Sequence, residues 1–165
     1  MTLSAPWRKL VLTLHVISSV GFMGAVAGFL ALAIVGATTG DAQVARAVYI
    51  AMSVVTWYVI VPLAASSLLI GLIQSLGTPW GLFRYYWVII KLVLTLLASV
   101  VLALQTSSIN ALATAALSGD LTGLAGARFS MIVHGTGGLA VLTIATILSV
   151  YKPRGMTRYG AAQIT

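Results

Sequence analysis

The sequence contains no cysteine and only two acidic residues, Asp41 and Asp120. The missing thiols exclude disulfides, thiolate zinc sites and iron–sulfur clusters. Two isolated acids, neither inside a long apolar run, exclude a paired-carboxylate hydrolase and argue against a carboxylate proton relay. Charge of either sign is scarce. Asp, Glu, Lys and Arg make up 7% of the 165 residues, where a soluble domain carries about 25%. Apolar residues fill the chain instead: 60% are hydrophobic and the mean hydropathy is +1.08. Disorder needs the opposite composition. The length is that of one domain, and the composition belongs in a lipid bilayer. The net charge of +7 would suggest nucleic acid in a soluble protein. Here the basic residues sit mostly at the ends of apolar runs, where they set membrane orientation. No nucleic-acid partner is expected.

A spanning helix needs about 20 apolar residues. Four runs meet that length, at about 10–35, 45–76, 85–104 and 127–150. They predict an all-α, four-helix transmembrane bundle in a single membrane domain. The second run is longer than a bilayer core requires, so it tilts, projects into the interface or bends at Pro62. Residues 105–126, rich in Ala, Ser, Thr and Gly, read as a long connector, part of it a short surface helix. The tail from Tyr151 to Arg158 reads as solvated. The first run is too long for the apolar part of a cleaved signal peptide, so it reads as a retained anchor. Arg8, Lys9, Arg84, Lys152, Arg154 and Arg158 fall on one side, whereas Arg46 and Arg128 are offset by Asp41 and Asp120. The positive-inside rule therefore puts both termini and the second loop in the cytoplasm. Trp7, Trp80, Tyr85, Tyr86, Trp87 and Tyr151 are expected to form an aromatic belt on that face.

Small residues let spanning helices approach closely. Gly21, Gly24 and Gly28 in the first run, and Gly137, Gly138, Val141 and Ala145 in the fourth, read as helix contacts. His15 faces another way, together with Ser19, Phe22 and Val26.

His15, Lys91 and His134 are the ionisable side chains well inside the spans, and such groups are functional candidates by default. Counted from the span ends, His15 and Lys91 lie roughly 8 and 9 Å deep from the cytoplasmic side, hence level. His134 lies roughly 10 Å from the opposite surface, which sets it on the order of 10 Å above the other two in a ~30 Å core. Imidazole is a common axial ligand of haem iron. A dihaem protein with paired histidines needs four of them and this chain has two. One haem b remains, with His15 as iron ligand and Lys91 either as second ligand, if deprotonated, or as partner of a propionate. Arg84, on the stripe of Trp87, Lys91, Thr95, Ala98 and Gln105, suits the other propionate. The blander alternatives are a neighbouring hydroxyl for His15 (Ser18, Ser19 or Thr56) and, for Lys91, a stem that snorkels to the surface. Zinc lacks ligands. Copper would rely on Met23, Met52 and Met131, which show no Met-x-x-Met spacing.

The opening WRKLVLTLH (residues 7–15), the segment PWGLFRYYWVIIK (79–91) and the ending SVYKPRG (149–155) together resemble an uncharacterised family of four-helix integral membrane proteins common in actinobacteria. That likeness implies four spans and a bacterial plasma-membrane location. More remotely, the early His15 and WVIIK (87–91) resemble the four-helix membrane protoporphyrinogen oxidases and the related copper-resistance membrane domains. In the oxidase family such a His and Lys are associated with haem, so the likeness implies a haem site. It lacks that family's arginine-containing segment after the first helix.

The expected function is therefore binding of a b-type haem or another porphyrin, for electron transfer or tetrapyrrole handling. The alternatives are a non-catalytic accessory or scaffold subunit that docks on a membrane-protein partner or self-associates, and a small transporter.

Overall fold

In the computed structural model, which describes residues 3–78 and 81–162, the described chain is helical apart from its turns and one isolated β-bridge. The order is α1 (Ala5–Thr38), α2 (Ala42–Val55), a π-helical turn (Thr56–Ile60), α3 (Val61–Leu76), α4 (Tyr86–Ser118), α5 (Ala125–Tyr151) and the short α6 (Arg158–Ala162). Helices α1, α4 and α5, and the continuous helical run Ala42–Leu76, are each long and apolar enough to cross a membrane. Their outer surfaces carry Ile17, Val20, Leu69, Leu97, Leu104 and Val150, all more than half exposed. Water would penalise such a surface and lipid would not.

The second span resolves its excess length at a defined place. Pro62 has no N–H to donate and its ring crowds the preceding turn. The turn before it is widened: the Val61 N–H reaches back to the Thr56 carbonyl, and the Thr56 hydroxyl satisfies the Met52 carbonyl at 2.7 Å. A π-turn adds a residue to one helical turn and so changes which face the next segment presents. On one side of it, α2 packs against both α1 and α4. On the other, α3 packs against α1 and meets α4 only sparsely. The remaining contacts, α1 with α5 and α4 with α5, close the bundle.

The chain ends share one end of the bundle. The Leu3 N–H donates to the Gly77 carbonyl, and the Thr157 N–H to the Arg84 carbonyl, each at 3.0 Å. At the far end Arg46 donates to the Gly119 carbonyl at 2.8 Å, tying the two other turns together. There Asp41 caps α2 by accepting from the Gln43 and Val44 amides. Asp120 accepts from the Thr122 hydroxyl and amide, which hold its exposed carboxyl below the usual range.

Three expectations are corrected. First, α4 runs through Ser118, so most of the expected connector 105–126 is helix and only residues 119–124 link α4 to α5. Alanine favours helix. The hydroxyls of Thr106, Ser107 and Ser118 bond back to carbonyls three residues earlier instead of breaking the helix. Ile109, Leu112 and Ala116 recur at helical spacing and are buried in the core that α2 shares. Gly119, at φ 83°, then ends the helix in the left-handed conformation. Second, the tail is not simply solvated. Met156 bridges Tyr85, Thr157 is buried, and its hydroxyl donates to the Phe83 carbonyl at 2.6 Å. The non-helical stretch before α4 needs backbone partners and the tail supplies them. Third, Trp87 is buried rather than part of a surface belt, whereas Trp7, Tyr86 and Tyr151 are exposed. Trp80 and Pro79 lie outside the described residues.

The tightest packing lies towards the far end. Ala33, Tyr49, Met52, Leu112 and Met131 are each at most 1% exposed. Tyr49 donates its hydroxyl to the Gly36 carbonyl at 2.7 Å, and a Cβ at Gly36 would stand 3.0 Å from the Tyr49 ring. That ring cannot retreat. Of the expected glycine contacts, Gly21 abuts Leu63 and Gly138 faces Val26, but a Cβ at Gly24 or Gly28 would meet nothing within 4 Å. Gly36→Ala is therefore expected to destabilise the protein by about 1–3 kcal/mol through overpacking, and Gly24→Ala to stay within about 0.5 kcal/mol. Thermal unfolding of the purified variants in the same detergent measures both.

Candidate functional site

Where α3 leaves α4, the bundle does not close. A cavity of about 150 Å³ opens there, towards the end that carries the termini. Its wall is unusually polar for a spanning bundle. Helix α1 contributes His15 and Ser19; α3 contributes Ser67, Gly71 and Gln74; α4 contributes Trp87, Lys91 and Thr95; and α5 contributes Thr146 and Ser149.

Each side chain is there for a local reason. His15 lies on the face of α1 that continues through Ser19, Phe22 and Val26, and Phe22 and Val26 are buried in the core. The His15 ring rests on Gly71 of α3, where a Cβ would come within 2.9 Å of its Cε1 atom. Its Nδ1 is buried with no hydrogen-bond partner. The hydroxyls expected to satisfy the ring are engaged elsewhere. Ser18 donates to the His15 backbone carbonyl, Ser19 and Ser67 pair with each other at 2.8 Å, and Thr56 serves Met52. One turn beyond Gly71 on α3, Gln74 carries a second buried polar atom without a partner, its Oε1. Thr95, Thr146 and Ser149 each give their hydroxyl proton to a carbonyl four residues back. They face the cavity with lone pairs only.

Lys91 lines the same cavity as His15, as their matched depth predicts. Its ammonium lies 5.8 Å from the centre of the Trp87 ring, one turn towards the termini end, an arrangement that stabilises a cation electrostatically. The chain's two acidic side chains cap or close turns at the far end, so neither neutralises Lys91. Lys91 therefore brings an amine with no acidic side chain beside it to a cavity walled by hydroxyl, amide and imidazole groups.

The other candidates fall elsewhere. Arg84 precedes the first residue of α4, beneath the tail. Its carbonyl accepts from Thr157, and it is not among the described residues that line the cavity. The helical stripe linking Arg84 to Lys91 is interrupted because the helix has not begun. His134 belongs to a different cavity, where its ring is fully engaged: Nδ1 with the Ser130 carbonyl at 2.7 Å and Nε2 with the Gln105 amide at 2.9 Å. Met52 and Met131, weighed as copper ligands, are sealed in the core. Among the described residues no three His, Asp or Glu side chains gather.

Sequence reasoning missed Gly71, Gln74 and the Ser19–Ser67 pair. Gly71 and Gln74 stand one turn apart in a run whose other polar residues are Ser66, Ser67 and Ser75, a signal that was visible but had no partner to give it meaning. Gly71→Ala is expected to turn the His15 ring rather than shift the backbone, since the ring ends a flexible side chain. Stability should change by about 1 kcal/mol or less, the scale of one displaced rotamer. The imidazole ¹⁵N resonances of His15 should move while those of His134 do not.

No protein-family model, no curated protein and no solved structure matches this chain.

Proposed function

We propose that the chain is a multi-pass protein of a bacterial plasma membrane, with both termini in the cytoplasm, whose termini-side cavity binds a b-type haem or another porphyrin. The role would be electron transfer or tetrapyrrole handling, as the resemblance to the four-helix oxidases implies. One observation carries the reading: His15 and Lys91 line the same cavity.

The residues present suit such a group. His15 offers an imidazole with an unsatisfied nitrogen, and a buried group left without a partner costs about 1–3 kcal/mol. A ligand that engaged the ring would recover that cost. Lys91 offers a cation without an acidic partner, which suits a propionate. Arg84 lies one loop away, and serves as second propionate partner only if it turns towards the cavity mouth. The enclosed space of about 150 Å³ is on the scale that holds one benzene ring. A macrocycle therefore requires α3 and α4 to part along their sparsely packed seam. Haem, when bound, would supply one-electron chemistry. His15 would hold it, Lys91 would orient it, and the surrounding helices would exclude water. The visible spectrum of protein expressed with haem precursor tests this. A Soret band at one equivalent is expected, lost in His15→Ala, weakened about tenfold in affinity in Lys91→Ala, and kept in His134→Ala. Absence of the band, or equal loss from both histidine variants, overturns the reading.

A second reading, an accessory subunit in contact with another spanning helix, is favoured by Gly24 and Gly28. Both are exposed on one face of α1 and have open space beyond them. Spacing of this kind lets a second backbone approach closely. Crosslinking in the membrane should capture a partner, or a second copy of the chain, and Gly24→Leu with Gly28→Leu should release it. An unchanged crosslinking pattern in the double variant removes this reading.

A further inference from the structure

On the outer surface of the spans, Ser107 and Thr143 bond to carbonyls of their own helices. Asn110 does not. It is exposed on α4, and its Oδ1 accepts from the indole N–H of Trp57 at 3.0 Å. An indole nitrogen only donates, so this contact fixes the amide: Oδ1 faces Trp57, and Nδ2 takes no part. Among the described residues nothing else bonds to the carboxamide. Its depth makes that matter. Arg128 and Lys152 flank the apolar length of α5 and stand roughly 36 Å apart, which brackets a ~30 Å hydrocarbon core. At the Arg128 end Arg46 is tied to Gly119, and counting back along α4 puts Asn110 roughly 13 Å beneath that tie. The carboxamide therefore lies inside the core, where unbonded amide hydrogens are costly and lipid offers them no acceptor.

Copies of the chain obey one charge rule, so they cross the membrane in the same sense. Two such copies are related by a two-fold axis along the membrane normal, and each depth then meets its own depth. Only a self-complementary group suits that axis. A lysine would meet a lysine. A carboxamide meets a carboxamide, and each gives an Nδ2–H to the second lone pair of the other's Oδ1 while Trp57 keeps the first. A second copy brings the matching amide to the matching depth by symmetry, and an unrelated helix does not. The surface around Asn110 permits the approach. Val100, Ala103, Ser107, Asn110, Thr114 and Leu117 are all exposed and recur at alternating spacings of four and three, after a first step of three. That is the period of a left-handed helix pair, in which one Asn sets register and favours two strands. Ala103 and Ser107 are small enough to let two backbones come close.

We propose that α4 packs against α4 of a second copy of this chain, in a parallel dimer with the two Asn110 carboxamides paired at its axis. The contact uses neither the Gly24 and Gly28 face of α1 nor the cavity at His15, and so stands apart from both readings above.

The test uses the full chain in phosphatidylcholine vesicles. The chain has no cysteine, so single ones can be introduced. Ser107→Cys should give a disulfide-linked dimer under mild oxidation, and Ile144→Cys, exposed on α5, should not. Energy transfer between copies carrying donor or acceptor fluorophores, followed as the protein is diluted in lipid, gives the dimerisation constant. Asn110→Leu should weaken it about tenfold, the scale of one or two interhelical hydrogen bonds. Asn110→Gln, which keeps the carboxamide, should stay within about threefold, and Gly24→Leu with Gly28→Leu should leave it unchanged. Energy transfer no greater than chance proximity gives, equal crosslinking from Ile144→Cys, or undiminished pairing of the Asn110→Leu chain overturns the proposal. So does a monomeric chain that loses a different membrane protein on Asn110→Leu. If Asn110→Leu does not fold, the two cysteine variants, which keep Asn110, decide.

Discussion

A bilayer supplies no hydrogen-bond partner to a broken backbone, so a proline within a span must be accommodated by the helix that contains it. Pro62 imposes that constraint, and the widened turn Thr56–Ile60 answers it. The consequence is geometric. The chain before the turn packs on α4, and the chain after it packs on α1 and draws little of α4 with it. The polar cavity occupies the gap. Its volume, its polar wall and the burial of His15 all follow from where α3 is aimed.

The same bilayer demands an account of every polar side chain. Most settle it locally. Thr95, Ser99, Thr146 and Ser149 give their protons to carbonyls one turn back. Ser19 and Ser67 answer each other across α1 and α3. The two histidines differ sharply. His134 is bonded at both ring nitrogens, whereas His15 has a buried Nδ1 with nothing to bond and Lys91 across the same cavity. The two histidines thus differ by one ring nitrogen: both of those of His134 are bonded, and Nδ1 of His15 is not. His15 is the stronger candidate for binding a ligand, because a ligand has that nitrogen to restore.

Much of the fold was legible. Apolar runs long enough to cross a membrane marked four helices, and helical periodicity put His15 on the face of Phe22 and Val26. The stretch 105–118 misled, because Ser and Thr read as loop residues. Inside an apolar helix they bond to their own backbone and cost little. The tail misled for another reason: its order comes from residues 83–86, some seventy positions away, and no local pattern announces such a pairing. The stripe that includes Arg84 presumes a helix two residues longer at its start than the one that forms. For the candidate site, the level of His15 and Lys91 could be counted along the spans, but the orphaned Nδ1 could not, since it depends on which hydroxyls had already found partners.

Composition and run length by themselves determined that this chain makes four membrane-length helices, because burying about twenty apolar residues per span outweighs any local preference. Tertiary structure alone decided which side chains share a cavity. Periodicity reports the face of a helix, but the rotation of one helix against another is decided by packing, and here by a single widened turn ahead of a proline.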